Sequence, residues 1–205
     1  RMQINGRMIP DEDFRKAFWR VSHAVSILKE EGGQEPTYFE SLFAMAMCWF
    51  EEQKIDLLIC ETGLGGRLDA TNTIRRAEAE VITSIGLDHT KYLGDTVEQI
   101  ASEKAGIIRK GVPCIYSAKD PASADVIRET CMRMKAIPVP LEKEAYRILE
   151  RTEGTIKVRL TMQDGRALDL AVPFNAAYQA ENACLAALCA LSLGVKEEAV
   201  KSAVA

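Results

Sequence analysis

The sequence predicts an α/β fold: a mostly parallel central sheet flanked by helices, with a small antiparallel β appendage. Three observations carry that expectation. Helix-length amphipathic segments alternate with short apolar runs, as expected for parallel strands buried on both faces. The runs at residues 55–60 and 80–85 are bounded by charge or glycine. From about residue 145 to 172 the period changes, and Thr155-Ile156-Lys157-Val158-Arg159-Leu160-Thr161 alternates as a half-exposed antiparallel strand does.

The elements follow in order. Pro10-Asp11-Glu12 opens a helix that Gly32-Gly33 stops, giving residues 10–31. Thr37-Tyr38-Phe39-Glu40 has capping-box spacing, and Leu42, Met45, Ala46 and Trp49 then fall on one helical face. Residues 55–60 and 80–85 read as buried parallel strands. Asp95-Thr96 caps a helix reaching about Ile108. Gly111-Val112-Pro113 turns into a strand over 114–117, and Asp120-Pro121 starts a helix to about Lys135. A turn at Gln163-Asp164-Gly165-Arg166 joins two strands of a hairpin or meander. Two helices, 176–193 and 196 onward, are split by Gly194.

Composition narrows the function. The 205 residues carry 26 Lys and Arg against 30 Asp and Glu, a net charge of −4, which disfavours nucleic acid as a partner. The uncharged stretch at 182–195 is too short to cross a bilayer, so no membrane span is expected. Six cysteines, none in a CxxC pair, read as buried reduced thiols, which favours the cytoplasm. Arg1 at the start and a helix without a stop signal at the end read as cut edges of a longer chain.

Chemistry concentrates at four places. Glu61 follows an apolar run and precedes Thr62-Gly63-Leu64-Gly65-Gly66-Arg67-Leu68-Asp69-Ala70-Thr71-Asn72. A carboxylate at a strand end can present itself to Mg²⁺ beside a nucleotide, or it can be an ordinary strand-end acid before a tight turn; residue types leave both open. The glycines do not make a dinucleotide fingerprint, and no GxxxxGK[ST] loop occurs. His89, beside Asp88, is a metal ligand or a hydrogen-bonding loop residue. His23 lies mid-helix and reads as structural. Lys104 in Glu103-Lys104-Ala105-Gly106-Ile107-Ile108, taken alone, is a lysine favoured by a helix C-terminus. Gln179 and Asn182 either cap the late helix or contact a base or ribose.

Taken jointly, these segments resemble the folylpolyglutamate synthase/dihydrofolate synthase family of the Mur-ligase superfamily. The strings are Arg1-Met2-Gln3-Ile4-Asn5-Gly6, Pro36-Thr37-Tyr38-Phe39-Glu40, the run from Glu61 to Asn72, Thr83-Ser84-Ile85-Gly86-Leu87-Asp88-His89-Thr90, Tyr92-Leu93-Gly94-Asp95-Thr96, Glu103-Lys104-Ala105-Gly106-Ile107-Ile108 and the run from Gln179 to Ala187. The resemblance implies a P-loop NTPase-like central domain and an ATP-dependent ligase that adds L-glutamate to a folate or dihydropteroate carboxylate through an acyl phosphate. It implies two Mg²⁺ sites: Glu61 near the ATP γ-phosphate, and His89 with Lys104, the lysine that is carbamylated in this superfamily. Gln179 and Asn182 match nucleotide-contacting amides, and Gly63, Gly65 and Arg67 belong to the nucleotide-side loop. Tyr178 stands where the family usually has a histidine. On this reading residues 1–205 are part of the ATP-binding domain, without its P-loop or the glutamate-binding C-terminal domain, and the isolated chain is expected to be inactive. The alternatives are a peptidoglycan-precursor ligase, a Mg²⁺-dependent hydrolase using Glu61, Asp69, Asp88 and His89, and a non-catalytic nucleotide-fold module.

Overall fold

The computed structural model describes residues 2–205; Arg1, which opens one of the strings above and one of the expected cut edges, lies outside the described residues. The chain forms two compact units, one reaching to Leu64 and including Asp69–Thr73, the other comprising Gly65–Leu68 and Ile74–Ala205.

The first unit begins with a two-stranded hairpin, β1 (Gln3–Ile4) and β2 (Arg7–Met8), paired Gln3↔Met8 and Ile4↔Arg7. Asn5 and Gly6 both take positive φ, 50° and 76°, as a tight two-residue hairpin turn requires. Helix α1 (Asp11–Glu30) starts with Asp11, Glu12 and Asp13 in its first turn, where the helix dipole favours acids. Helix α2 (Tyr38–Gln53) has the expected capping box: the Thr37 N–H donates to the Glu40 carboxylate at 2.7 Å, and the Thr37 hydroxyl accepts from the Glu40 N–H at 3.3 Å. Met2, Ala17, Met45 and Trp49 form the small core. The Trp49 indole N–H reaches the Asp13 carboxylate at 3.2 Å and ties the two helices together.

One expectation fails here. Residues 55–60 form no strand: no ladder engages them among the described residues, and Ile59 is 91% exposed. An apolar run specifies a strand only when another strand accepts its backbone hydrogen bonds.

The second unit holds the parallel sheet. Its strands β3 (Glu80–Ile82), β4 (Pro113–Ser117) and β5 (Ile137–Leu141) lie in that spatial order. The pairing Val81↔Ile115↔Val139 sets the register. β3 stops at Ile82, short of the expected Ile85. β4 is buried on both faces. Cys114 and Tyr116 pack with Ala105, Ile108, Ile127 and Cys131 on one side, and Ile115 joins the core of the antiparallel sheet on the other. Helices α3 (Thr90–Leu93), α4 (Val97–Ala105) and α5 (Pro121–Met134) belong to this unit. The Thr96 and Asp120 side chains cap α4 and α5 as expected, accepting from the backbone N–H of Gln99 and Ser123. α4 ends at Ala105, and residues 106–108 continue only as i→i−3 turns.

β6 (Tyr146–Arg151), β7 (Ile156–Thr161) and β8 (Ala167–Val172) form the antiparallel meander. Its inward residues Ile156, Val158, Leu160, Leu168, Leu170 and Val172 pack against α6 (Ala177–Ser192) and α7 (Glu197–Val204). Among the described residues no helix is long and apolar enough to cross a membrane.

Candidate functional site

In the first unit, Asp69 organises the segment that follows Glu61. One carboxylate oxygen accepts from the Gly63 and Leu64 N–H groups, both at 3.0 Å. The other accepts from the Thr71 N–H at 2.9 Å and the Thr71 hydroxyl at 2.6 Å. Burial pushes the Asp69 carboxyl up, but the Thr71 hydroxyl and the three N–H groups outweigh it and hold it below the usual range. A short 3₁₀ turn (Ala70–Thr73) follows. With both oxygens engaged, Asp69 is a turn-maker rather than the catalytic acid of the hydrolase alternative.

Glu61 is exposed, and among the described residues no hydrogen bond or ion pair holds its carboxylate. It lines a cavity of about 1480 Å³ together with Thr62, Gly63 and Thr71 and the aromatic rings of Phe39 and Phe43. Phe39 also limits Gly63, where an added Cβ would stand 3.0 Å from the ring.

In the second unit, Gly65–Leu68 lies on the C-terminal half of α4. Gly65 takes φ +70°, and a Cβ there would meet the Leu93 side chain at 2.9 Å. A Cβ on Gly66 would stand 2.9 Å from the carbonyl oxygens of both Glu103 and Lys104, so only glycine allows this approach. The Arg67 N–H donates to the Glu103 carbonyl at 2.9 Å. Its guanidinium forks onto the Glu103 carboxylate, at 2.9 Å from Nη2 and 3.2 and 3.3 Å from Nε. A Cβ on Gly106 would overlap Arg67.

Lys104 sits between these contacts, half-buried, with no ion pair among the described residues. His89 caps α3 in the left-handed region, φ 51°, a position uncommon for a non-glycine residue. Its N–H donates to the Asp88 carboxylate at 2.7 Å, and its Nε2 lies 3.7 Å from that group. His89 and Lys104 thus belong to one unit and Glu61 to the other. Among the described residues no three His, Cys, Asp or Glu side chains cluster as a metal site.

Gln179 and Asn182 stand inside α6, not at its cap; the capping residue is Ala176 and has no side-chain bond. The Asn182 amide donates to the Gln179 amide oxygen at 3.4 Å, so the two form one polar patch, and Tyr178 beside them is exposed. Between them Glu181 turns into the protein and is 4% exposed. Its carboxylate accepts from the Ser117 hydroxyl at 2.5 Å and from the Tyr146 hydroxyl at 3.2 Å, with Lys119 at 3.7 Å. Burial and then the Glu181 charge push the Tyr146 phenol up to about 12. Nothing in the sequence reading singled out Glu181 or the Arg67–Glu103 fork. The available signal for Glu181 is that it is the one charged residue of α6.

The thiol expectation holds for Cys114, Cys131 and Cys184, which are buried; Cys60 is exposed, because the run that contains it has no strand partner.

Residues 17–190 match the family described as Mur ligase middle domain. The chain is 41% identical over 143 residues to mitochondrial folylpolyglutamate synthase of Bos taurus, covering 69% of this chain and 24% of that protein. It is 42% identical over 137 residues to dihydrofolate synthase/folylpolyglutamate synthase of Bacillus subtilis (strain 168), covering 66% and 32%. Among solved structures, the apo form of L. casei FPGS superposes with a TM-score of 0.87 at 25% identity, over 98% of this chain and 51% of that one. Mycobacterium tuberculosis folylpolyglutamate synthase complexed with ADP gives 0.85 at 28% identity, over 98% and 47%. The chain therefore spans a quarter to a third of these curated relatives and about half of these solved structures.

Proposed function

The chain belongs to the Mur ligase family through its middle domain, and on that premise we propose that the full-length protein joins L-glutamate to a folate or dihydropteroate carboxylate at the expense of ATP. The carboxylate attacks the γ-phosphorus, ADP leaves, and an acyl phosphate forms. The glutamate amine then attacks the acyl carbon, releasing phosphate and a proton and leaving an amide. Residues 1–205 supply part of the ATP-binding domain.

The observation that carries this reading is the ligase match over residues 17–190, which spans Glu61, His89 and Lys104. The Glu61 carboxylate is the kind of oxygen donor that Mg²⁺ prefers. Glu61 offers an exposed carboxylate held by no described partner. A lysine ammonium cannot ligate a cation, but the amine left when it gives up its proton can add CO₂, release a second proton and become a carboxylate-like donor; Lys104 is half-buried. We assign Glu61 to one ion, and His89 with carbamylated Lys104 to a second. When bound, Mg²⁺ offsets the negative charge of the phosphates and the attacking carboxylate. Gln179 and Asn182 bind the nucleotide, and Gly63, Gly65 and Arg67 shape the loop beside it. Six free thiols support a reducing compartment, in our reading the cytoplasm.

The test is ATP-dependent incorporation of labelled L-glutamate by the full-length protein, offered folate and dihydropteroate acceptors separately. Glutamate-dependent ADP release and a product one glutamate heavier are expected. ADP release without amide formation on any pteridine acceptor would overturn the reading in favour of a hydrolase.

A further inference from the structure

We propose that Glu103 is a positioning residue: its fork with Arg67 clamps Gly65–Leu68 onto α4 and so fixes the direction of the Lys104 side chain. The inference deepens the ligase reading and rests on it for the role of Lys104.

The contacts bracket Lys104 on both sides. Before it, the Glu103 carbonyl accepts the Arg67 N–H at 2.9 Å, and the Glu103 carboxylate takes the guanidinium through three contacts of 2.9–3.3 Å. At Lys104 itself, the backbone carbonyl lies against Gly66 so closely that a Cβ would stand 2.9 Å away. After it, Gly106 leaves no room for a Cβ beside the Arg67 backbone. Beyond Ala105 the helix continues only as i→i−3 turns, so its own ladder is weakest where Lys104 must be held. A bidentate guanidinium–carboxylate pair fixes orientation as well as distance, which a lysine in place of Arg67 cannot do. This gives Arg67 a structural duty on the α4 side of the loop.

The experiment compares the full-length wild-type protein with Glu103→Gln, Arg67→Gln and the double variant. Steady-state kcat and KM for ATP are measured, along with the acylation rate of Lys104 by an amine-reactive probe, read by peptide mass spectrometry. Far-UV circular dichroism checks folding, and Glu103→Asp, which keeps the charge but shortens the fork, replaces any variant that folds poorly. We expect Glu103→Gln to lower kcat about tenfold or more with KM for ATP within about twofold. Lys104 labelling should change at least threefold while other lysines hold their rates, and the double variant should be no worse than Arg67→Gln, as for residues acting as one unit. Unchanged kcat and unchanged Lys104 labelling in folded Glu103→Gln would overturn the proposal. So would additive losses with Arg67→Gln acting on KM alone, the signature of direct nucleotide contact. Wild-type protein without ligase activity but with altered Lys104 labelling in Glu103→Gln would sink the ligase reading and leave the clamp standing.

Discussion

Removing the carboxylate of Glu80 should destabilise the second unit more than any surface substitution. Glu80 is 5% exposed at the start of β3. One of its oxygens accepts from Arg109 Nη1 at 2.8 Å and the other from the Arg109 N–H at 3.1 Å. The guanidinium also reaches the carbonyls of Ile107 and Ile74, each at 2.7 Å. This network joins β3 to the segment after α4. Glu80→Ala removes the carboxylate that faces the half-buried Arg109 guanidinium and accepts its backbone N–H. Breaking a buried pair from one side costs about 3–5 kcal/mol, and the partial exposure of Arg109 places this case near about 3 kcal/mol. With a urea m-value of about 1–3 kcal/mol/M, the midpoint falls by about 1–3 M at constant m. Both tryptophans, Trp19 and Trp49, lie in the other unit, so far-UV circular dichroism is the suitable probe. Replacing both partners, Glu80→Leu with Arg109→Met, should be milder than Glu80→Ala alone, since no charge is then stranded. A midpoint shift below about 0.3 M for Glu80→Ala, or a double variant worse than the single, would refute this reasoning.

Further outcomes follow from the same geometry. Gly106→Ala keeps an ordinary φ of −62° but forces a Cβ into Arg67; a loss of about 1–3 kcal/mol, seen as a lowered Tm together with loss of ligase activity, is expected. Asp69 has a depressed pKa, so its stabilisation is present above the unfolded value of about 3.9 and is lost as pH falls through the lower folded value. Asp69→Asn should therefore flatten the acid limb of a stability-versus-pH curve and cost about 1–2 kcal/mol at pH 7. Tyr146 has the opposite sign: its raised value, about 12, makes its contribution complete below about pH 10 and lost as pH rises through 12. Tyr146→Phe should remove that alkaline loss in circular dichroism titrations.

How far the fold was legible depended on whether its cause was local. The Thr37–Glu40 box, the Thr96 and Asp120 caps and the alternating meander all formed, because each is specified within a few residues. Strand β5 went unread because Pro138 and Pro140 lack donors; its pairing with β4 on one side only makes them tolerable. Residues 55–60 have the charge-bounded apolar run of a buried strand, but a ladder depends on a partner far away in sequence. The site divides the same way. Lys104 alone looks like any lysine near a helix end, and only the joint resemblance of several segments marked it. Glu103, Asp69 and Glu181 drew no notice for their true partners, because Arg67, the Gly63–Thr71 turn and Ser117 meet them only in the folded chain.

The most direct measurement is glutamate-dependent ADP release by the full-length protein, with and without Lys104→Ala, at saturating ATP and pteridine acceptor. Robust turnover is expected for the wild type, with a loss of about a hundredfold or more in kcat for the folded variant, as when a group that stabilises transition-state charge is removed. Equal turnover by the two proteins would contradict that expectation.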